Sequence, residues 1–254
     1  LGSVNQNLPA YVVLADPAEK LPVNGVENWM SGYLPPVYQG TKMRTSGSPL
    51  LNLKPDYEEP PALTTSKRSF LAKLDKAHRD RRPGQGVLDA RISNYEMAAR
   101  MQVEATEALD VSDESPETLA MYGIGEKETD SFGRRCLLAR RLVERGVRFI
   151  QLYPKGQKWD NHRSIRTSLP AACREMDKPV AGLLQDLRQR GLLPSTLVAW
   201  GGEFGRLPMA QGASKTAGRD HGPYGFTSWF AGGGVKGGTV YGSTDEIGYA
   251  SVEN

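Results

Sequence analysis

Six side chains have the types and spacing to do chemistry: Asp160, His162, Glu203, Arg206, Asp220 and His221. The chain holds only three histidines, and two of them lie close to a carboxylate, in "WDNH" (Trp159–His162) and "RDH" (Arg219–His221). A mixture of imidazole nitrogen and carboxylate oxygen suits Zn, Mn or Fe. Carboxylates cancel the ion's charge, and imidazole adds a stronger, directional bond. Asp160, His162, Glu203, Asp220 and His221 are therefore the candidate metal ligands. Arg206 is not a ligand. Its planar fork fits a phosphate or sulfate oxyanion, or holds a carboxylate in place, which makes it the candidate for orienting a substrate. Each feature taken alone has a plainer reading. An Asp-His pair in a loop is often a turn hydrogen bond, Trp159 can anchor a loop in the core, and Glu203 with Arg206 can be a surface ion pair worth under ~1 kcal/mol. Their convergence is what singles them out.

The elements around them predict that convergence. "VRFIQLY" (147–153) reads as a strand and runs into "PKGQKWDNH", placing Asp160 and His162 beyond its carboxyl end. "TLVAW" (196–200) reads as a buried strand and runs into "GGEFGR", placing Glu203 and Arg206 beyond its own. In open α/β sheets, ligands gather at the carboxyl ends of strands. The glycine-rich stretch after Gly201 is then expected to swing Asp220 and His221 back towards Glu203.

Further elements follow from periodicity and punctuation. "AYVVLADP" (10–17) reads as a buried strand ended by Asp-Pro, and "FTSWFAGG" (226–233) as a third strand in this half. Residues 18–62 lack periodicity and form a long irregular segment. Residues 66–125 are helical. One helix covers Lys67–Arg82 with Phe70, Leu71, Leu74 and Ala77 on one face. A second covers Val87–Leu109 with Val87, Leu88, Ile92, Tyr95, Ala99 and Val103 at helical spacing. A short third helix is capped by Ser115 before Pro116. From 131 to 254, helices and strands alternate. One helix starts at Ser131 and stops at Gly146. Another is entered at Ser168 and Pro170, ends at Gly191, and is kinked or split by Pro179. Alternation of this kind implies a mostly parallel sheet covered on both faces.

The bulk numbers narrow the function classes. With 254 residues the chain can bury a substantial core. A net charge of +3 and no aromatic-studded basic stripe argue against nucleic acid. No apolar run approaches the roughly 20 residues of a membrane span. The two cysteines, Cys136 and Cys173, are far apart and make no framework. Cys136 opens "CLLAR", which lacks the proline of the C-x-P-x-R signature of formylglycine sulfatases and reads as core of a helix. His78 reads as solvated surface, "GGGVKGG" (232–238) as a turn between strands, and "TDE" (244–246) as a helix cap or turn. The start at Leu1 and the stop at Asn254 read as a piece of a longer protein.

"TLVAWGGEFGRLPMAQG", "GRDHGPYGFTSWFAGGGVKGGTVYG" and "FGRRCLLARRLVERGVRFIQLY" resemble the DUF1501 family, with weaker likeness through "NLPAYVVLADP", "GYLPPVYQGT" and "ARISNYEMAARMQ". These are bacterial proteins of unknown function, abundant in planctomycetes and related to the alkaline phosphatase and sulfatase superfamily. The resemblance implies one partial alkaline phosphatase-like domain over 1–254: a three-layer α/β/α sandwich with a mostly parallel sheet and divalent metal at its carboxyl edge, Zn, Mn or Ca. Glu203 would match the acidic motif after a strand, Asp220 and His221 the next loop, and Asp160 and His162 the loop after the preceding strand. It also implies that a metal-binding Asp and the nucleophile precede Leu1, and that a further ligand histidine follows Asn254. "GGEFGR" stands where the superfamily usually has an "SDHG"-like signature. The function expected is a metal-dependent hydrolase of sulfate or phosphate esters, acting on a small-molecule or glycan ester and exported to the periplasm. The alternative is a non-catalytic exported binding or scaffolding protein on a retained hydrolase fold.

Overall fold

The computed structural model describes residues 5–16, 24–45, 57, 59–212 and 215–253. Much of the irregular segment 18–62 therefore lies outside the described residues, as do the side chains of Gln102 and Val103. Among the described residues the fold is mixed α/β, with a small parallel three-stranded sheet, five α-helices and several short antiparallel strands. It divides into two compact units, one of residues 1–113 with 141–153, the other of 114–140 with 154–254. No described helix is long and apolar enough to cross a membrane.

The first unit holds the parallel sheet. Strand β1 (Tyr11–Leu14) is central, flanked by β2 (Thr41–Met43) and β3 (Phe149–Leu152), with Val12 opposite both Thr41 and Ile150. Val12, Val13 and Leu14 are wholly buried, as a continuous apolar run in a parallel strand requires. β2 falls inside the segment that reads as irregular. Its residues, "TKM", are too few and too polar to signal a strand, and pairing with β1 makes them one.

Helix α1 (Pro61–Asp80) carries Phe70, Leu71 and Leu74 on an exposed face, 62%, 56% and 49% accessible, so the predicted apolar stripe buries nothing among the described residues. Helix α2 (Gly86–Leu109) buries Ala90, Ile92, Met101, Ala105 and Ala108. Among the described residues of the predicted stripe only Ile92 is buried, while Val87 and Tyr95 are exposed. The buried line instead runs through Ala90, Met101, Ala105 and Ala108.

In the second unit, α3 (Pro116–Met121) is capped by Ser115, whose hydroxyl accepts from the backbone N–H of Thr118 at 3.2 Å. Helix α4 (Asp130–Glu144) begins one residue before the expected start, and the chain leaves it through Gly146 at φ 79°. Cys136 is wholly buried on it, and burial pushes its thiol up to about 12, in keeping with a core residue rather than a nucleophile.

Helix α5 (Ile165–Gln189) begins three residues before Ser168 and runs unbroken through Pro170 and Pro179. Gly182 lets it pass close to α3, since a Cβ there would lie 2.6 Å from the carbonyl oxygen of Met121. Buried Asp186 on α5 is ringed by donors. Tyr122 donates its hydroxyl at 2.9 Å, Arg140 pairs at 2.8 Å and Arg190 at 2.6 Å, while Arg140 also reaches Glu114 at 2.7 Å.

β4 (Leu197–Trp200) pairs antiparallel with β7 (Trp229–Gly232), not parallel. It is also not the buried strand that "TLVAW" predicts: Leu197 is 52% and Trp200 39% exposed. Among the described strands β4 pairs with β7 and no other, which leaves its apolar side chains uncovered. Two short antiparallel pairs complete the unit: β5 (Gly205–Arg206) with β6 (His221–Gly222), and β8 (Ser243–Thr244) with β9 (Ser251–Glu253).

Candidate functional site

The candidate residues are gathered by a hairpin, not by the rim of one sheet. β3 and β4, the strands expected to share a carboxyl edge, belong to separate sheets. What brings Asp160 and His162 to His221 is local. In the β5–β6 ladder Arg206 stands directly opposite His221, so both side chains leave the same face. The hairpin arms stay paired further out through Gln211 and Gly218, whose N–H and C=O groups exchange bonds of 2.8 and 2.9 Å. The returning arm is then bolted to the 160–165 segment. Arg219 donates its N–H to the carbonyl of Asn161 at 2.9 Å, and Ser164 and Ile165 donate theirs to Thr216 and Ala217 at 3.0 and 3.1 Å. Gly218 makes this contact feasible: any Cβ there would collide with the carbonyl of His162. Ser164 holds a left-handed conformation, φ 53°, at the start of α5. The strain sits where two segments are pinned together.

Three donor atoms converge. Oδ1 of Asp160 lies 3.0 Å from Nε2 of His162 and 3.2 Å from Nε2 of His221, and the two nitrogens are 3.1 Å apart. Tetrahedral coordination at the ~2.0–2.1 Å bond lengths of Zn to imidazole and carboxylate needs donors about 3.3 Å apart. The triangle meets that spacing within a few tenths of an ångström, and its two nitrogens and one carboxylate oxygen are a fitting donor set. These three residues each offer one donor atom and together could hold a metal ion. The side chains are a third or more exposed (32% for Asp160, 36% for His162, 42% for His221), so the triangle is open to solvent.

Other side chains hold the triad from behind. Nδ1 of His162 faces Oε1 of Gln211 at 2.9 Å and Oδ1 of Asp220 at 3.5 Å. Both are acceptors, so the proton belongs on Nδ1 and the lone pair on Nε2, the atom that faces the triangle. Asp220 also accepts the backbone N–H of His221 at 2.8 Å. Phe204 packs on the ring of His221 with centroids 4.5 Å apart. Arg206 pairs with Oδ1 of Asp160, and its other nitrogen lies 3.4 Å from the carbonyl oxygen of Arg219. Partial burial opposes ionisation of Asp160. The hydrogen bonds from Arg206 and His221, with the charge of Arg206, outweigh it and hold the carboxyl below the usual carboxylate range.

Of the five ligands predicted from sequence, three therefore meet. Asp220 stands behind His162 rather than in the triangle, and Glu203 is exposed in the turn before β5, outside the group. His78 lies exposed on α1, as expected. Gln211 and Phe204 escape sequence reasoning. Neither is a metal-ligand type, and only the hairpin register puts them beside the histidines.

No curated protein and no solved structure matches the chain. The family described as "Protein of unknown function (DUF1501)" matches residues 1–254, end to end, and the chain belongs to it.

Proposed function

We propose that the chain carries the divalent-cation centre of a hydrolase of phosphate or sulfate esters, on an alkaline phosphatase-like α/β/α framework. The observation that carries the reading is the triangle of Asp160 Oδ1, His162 Nε2 and His221 Nε2, with sides of 3.0 to 3.2 Å and a guanidinium at its corner. Asp160 would supply the negative charge that holds the ion, and the two imidazoles the directional bonds. Two nitrogens and one oxygen favour Zn or Mn over Ca, which takes six to eight oxygens. Bound there, a divalent ion stabilises charge on an ester oxygen and on the leaving oxygen. Arg206 orients the oxyanion, Gln211 and Asp220 keep His162 presenting its bare nitrogen, and Phe204 fixes the plane of His221.

Calorimetric titration of the metal-free protein with Zn²⁺ or Mn²⁺ tests the centre. One ion is expected to bind, and His162→Ala or His221→Ala to lower the affinity at least tenfold. Binding that both substitutions leave untouched would refute it. Turnover of a panel of aryl sulfates and phosphates with the ion present tests the reaction. Glycan binding that survives both chelation and His221→Ala, with no turnover, would favour an exported binding protein instead.

A further inference from the structure

Three groups crowd one oxygen atom. Oδ1 of Asp160 is met by the guanidinium of Arg206, by Nε2 of His162 at 3.0 Å and by Nε2 of His221 at 3.2 Å. A carboxylate oxygen offers about two lone pairs. Nε2 of His221 donates to this oxygen, Nε2 of His162 turns its lone pair inward, and Arg206 adds a full positive charge beside them. A divalent ion taken up by the triad would need the same oxygen, and two cations on one oxygen repel.

We propose that Arg206 and the divalent ion compete for Oδ1 of Asp160, so that loading the ion turns the guanidinium away and makes it a site for a sulfate or phosphoryl oxyanion. The inference rests on the cation centre proposed above. The backbone of Arg206 is fixed in the ladder opposite His221, so the exchange asks only its side chain to move. Its remaining tie within the hairpin, 3.4 Å to the carbonyl of Arg219, is long and readily given up. A planar fork freed from a carboxylate is suited to grip another oxyanion with two parallel bonds. The guanidinium thus guards the empty triad and serves the filled one. Anion and ion affinities are then linked, each raising the other by the same factor.

The test is calorimetry on the whole chain, with Zn²⁺ as ion and with inorganic sulfate and methylphosphonate as two separate anion probes. In the wild type, Zn²⁺ is expected to tighten binding of sulfate or methylphosphonate by a factor in the range ~5–150. Arg206→Met is expected to bind Zn²⁺ more tightly than wild type while losing most of that anion gain, and Arg206→Lys to restore wild-type Zn²⁺ affinity. The preferred probe identifies the oxyanion. Arg206→Met binding Zn²⁺ equally or more weakly would overturn the proposal, because Arg206 would then be bracing Asp160 rather than competing for it. So would an anion gain that persists in Arg206→Met, or anion binding in the wild type that ignores Zn²⁺. The last result needs no variant and decides the matter if Arg206→Met fails to fold. A wild type that binds no ion would remove both this inference and the cation centre beneath it. Zn²⁺ binding that His162→Ala abolishes and Arg206→Met fails to strengthen would remove this inference alone.

Discussion

Gln211 is a neutral side chain that settles which imidazole nitrogen faces the triad. Its Oε1 lies 2.9 Å from Nδ1 of His162, and the proton it attracts there leaves Nε2 bare. Replacing it with alanine leaves Asp220, at 3.5 Å, as a weaker substitute. Gln211→Ala is expected to lower ion affinity by ~10–100-fold, the range for partners of this kind, in a competition titration against a chelator. An unchanged affinity would mean that Asp220 alone orients the ring. The residues that meet were legible in the sequence by type: Asp160, His162 and His221 were candidates because histidine is scarce here and falls near carboxylates. What was not legible was rank. Glu203 and Asp220 have the same chemistry as Asp160, and nothing in a one-dimensional spacing tells a ligand from the group behind it. The hairpin register decides that, and it depends on Gly218 tolerating the carbonyl of His162.

Helices and strands show the same division between local and tertiary information. α3, α4 and α5 were legible because caps, a stop glycine and a sustained 3.6 period act within a few residues of one another. β2 was not, since three residues become a strand only when β1 offers them a ladder. The antiparallel pairing of β4 with β7 departs from the mostly parallel sheet that alternation with helices suggests, because that pattern says nothing about two strands joined by a hairpin and loops. The amino end of α4 offers a measurement at this scale. Partial burial of Asp130 opposes its ionisation, but the hydrogen bond and charge of Arg134 and the backbone N–H of Gly125 prevail and lower its pKa. A carboxylate depressed in the folded state stabilises above its unfolded pKa of about 3.9, and that stabilisation is lost as pH falls through the folded value. With Asp130 37% exposed the effect is small, roughly 0.3–0.5 kcal/mol. Thermal midpoints between pH 5 and pH 2 are expected to fall less steeply for Asp130→Asn than for wild type.

At the scale of the molecule, the second unit depends on its buried charges. Asp186 accepts from Tyr122 and pairs with Arg140 and Arg190, and burial together with Asp186 raises the Tyr122 phenol so that it stays a donor. Asp186→Ala would leave Arg140 buried beside Glu114 with half its compensation gone. A loss of ~3–5 kcal/mol is expected, the cost of breaking a buried pair by removing one partner. It would be read as a lower urea midpoint at unchanged slope. The chain reaches this unit in two visits, at 114–140 and again from 154 onward. That path matters to anyone who would trim the gene. A recombinant piece beginning at Pro154 would retain each candidate ligand yet discard Glu114, Tyr122 and Arg140, and its long helix would present Asp186 with Arg190 alone where three donors had closed around it. Truncation points are better chosen by tracing those buried partners than by bracketing the reactive groups.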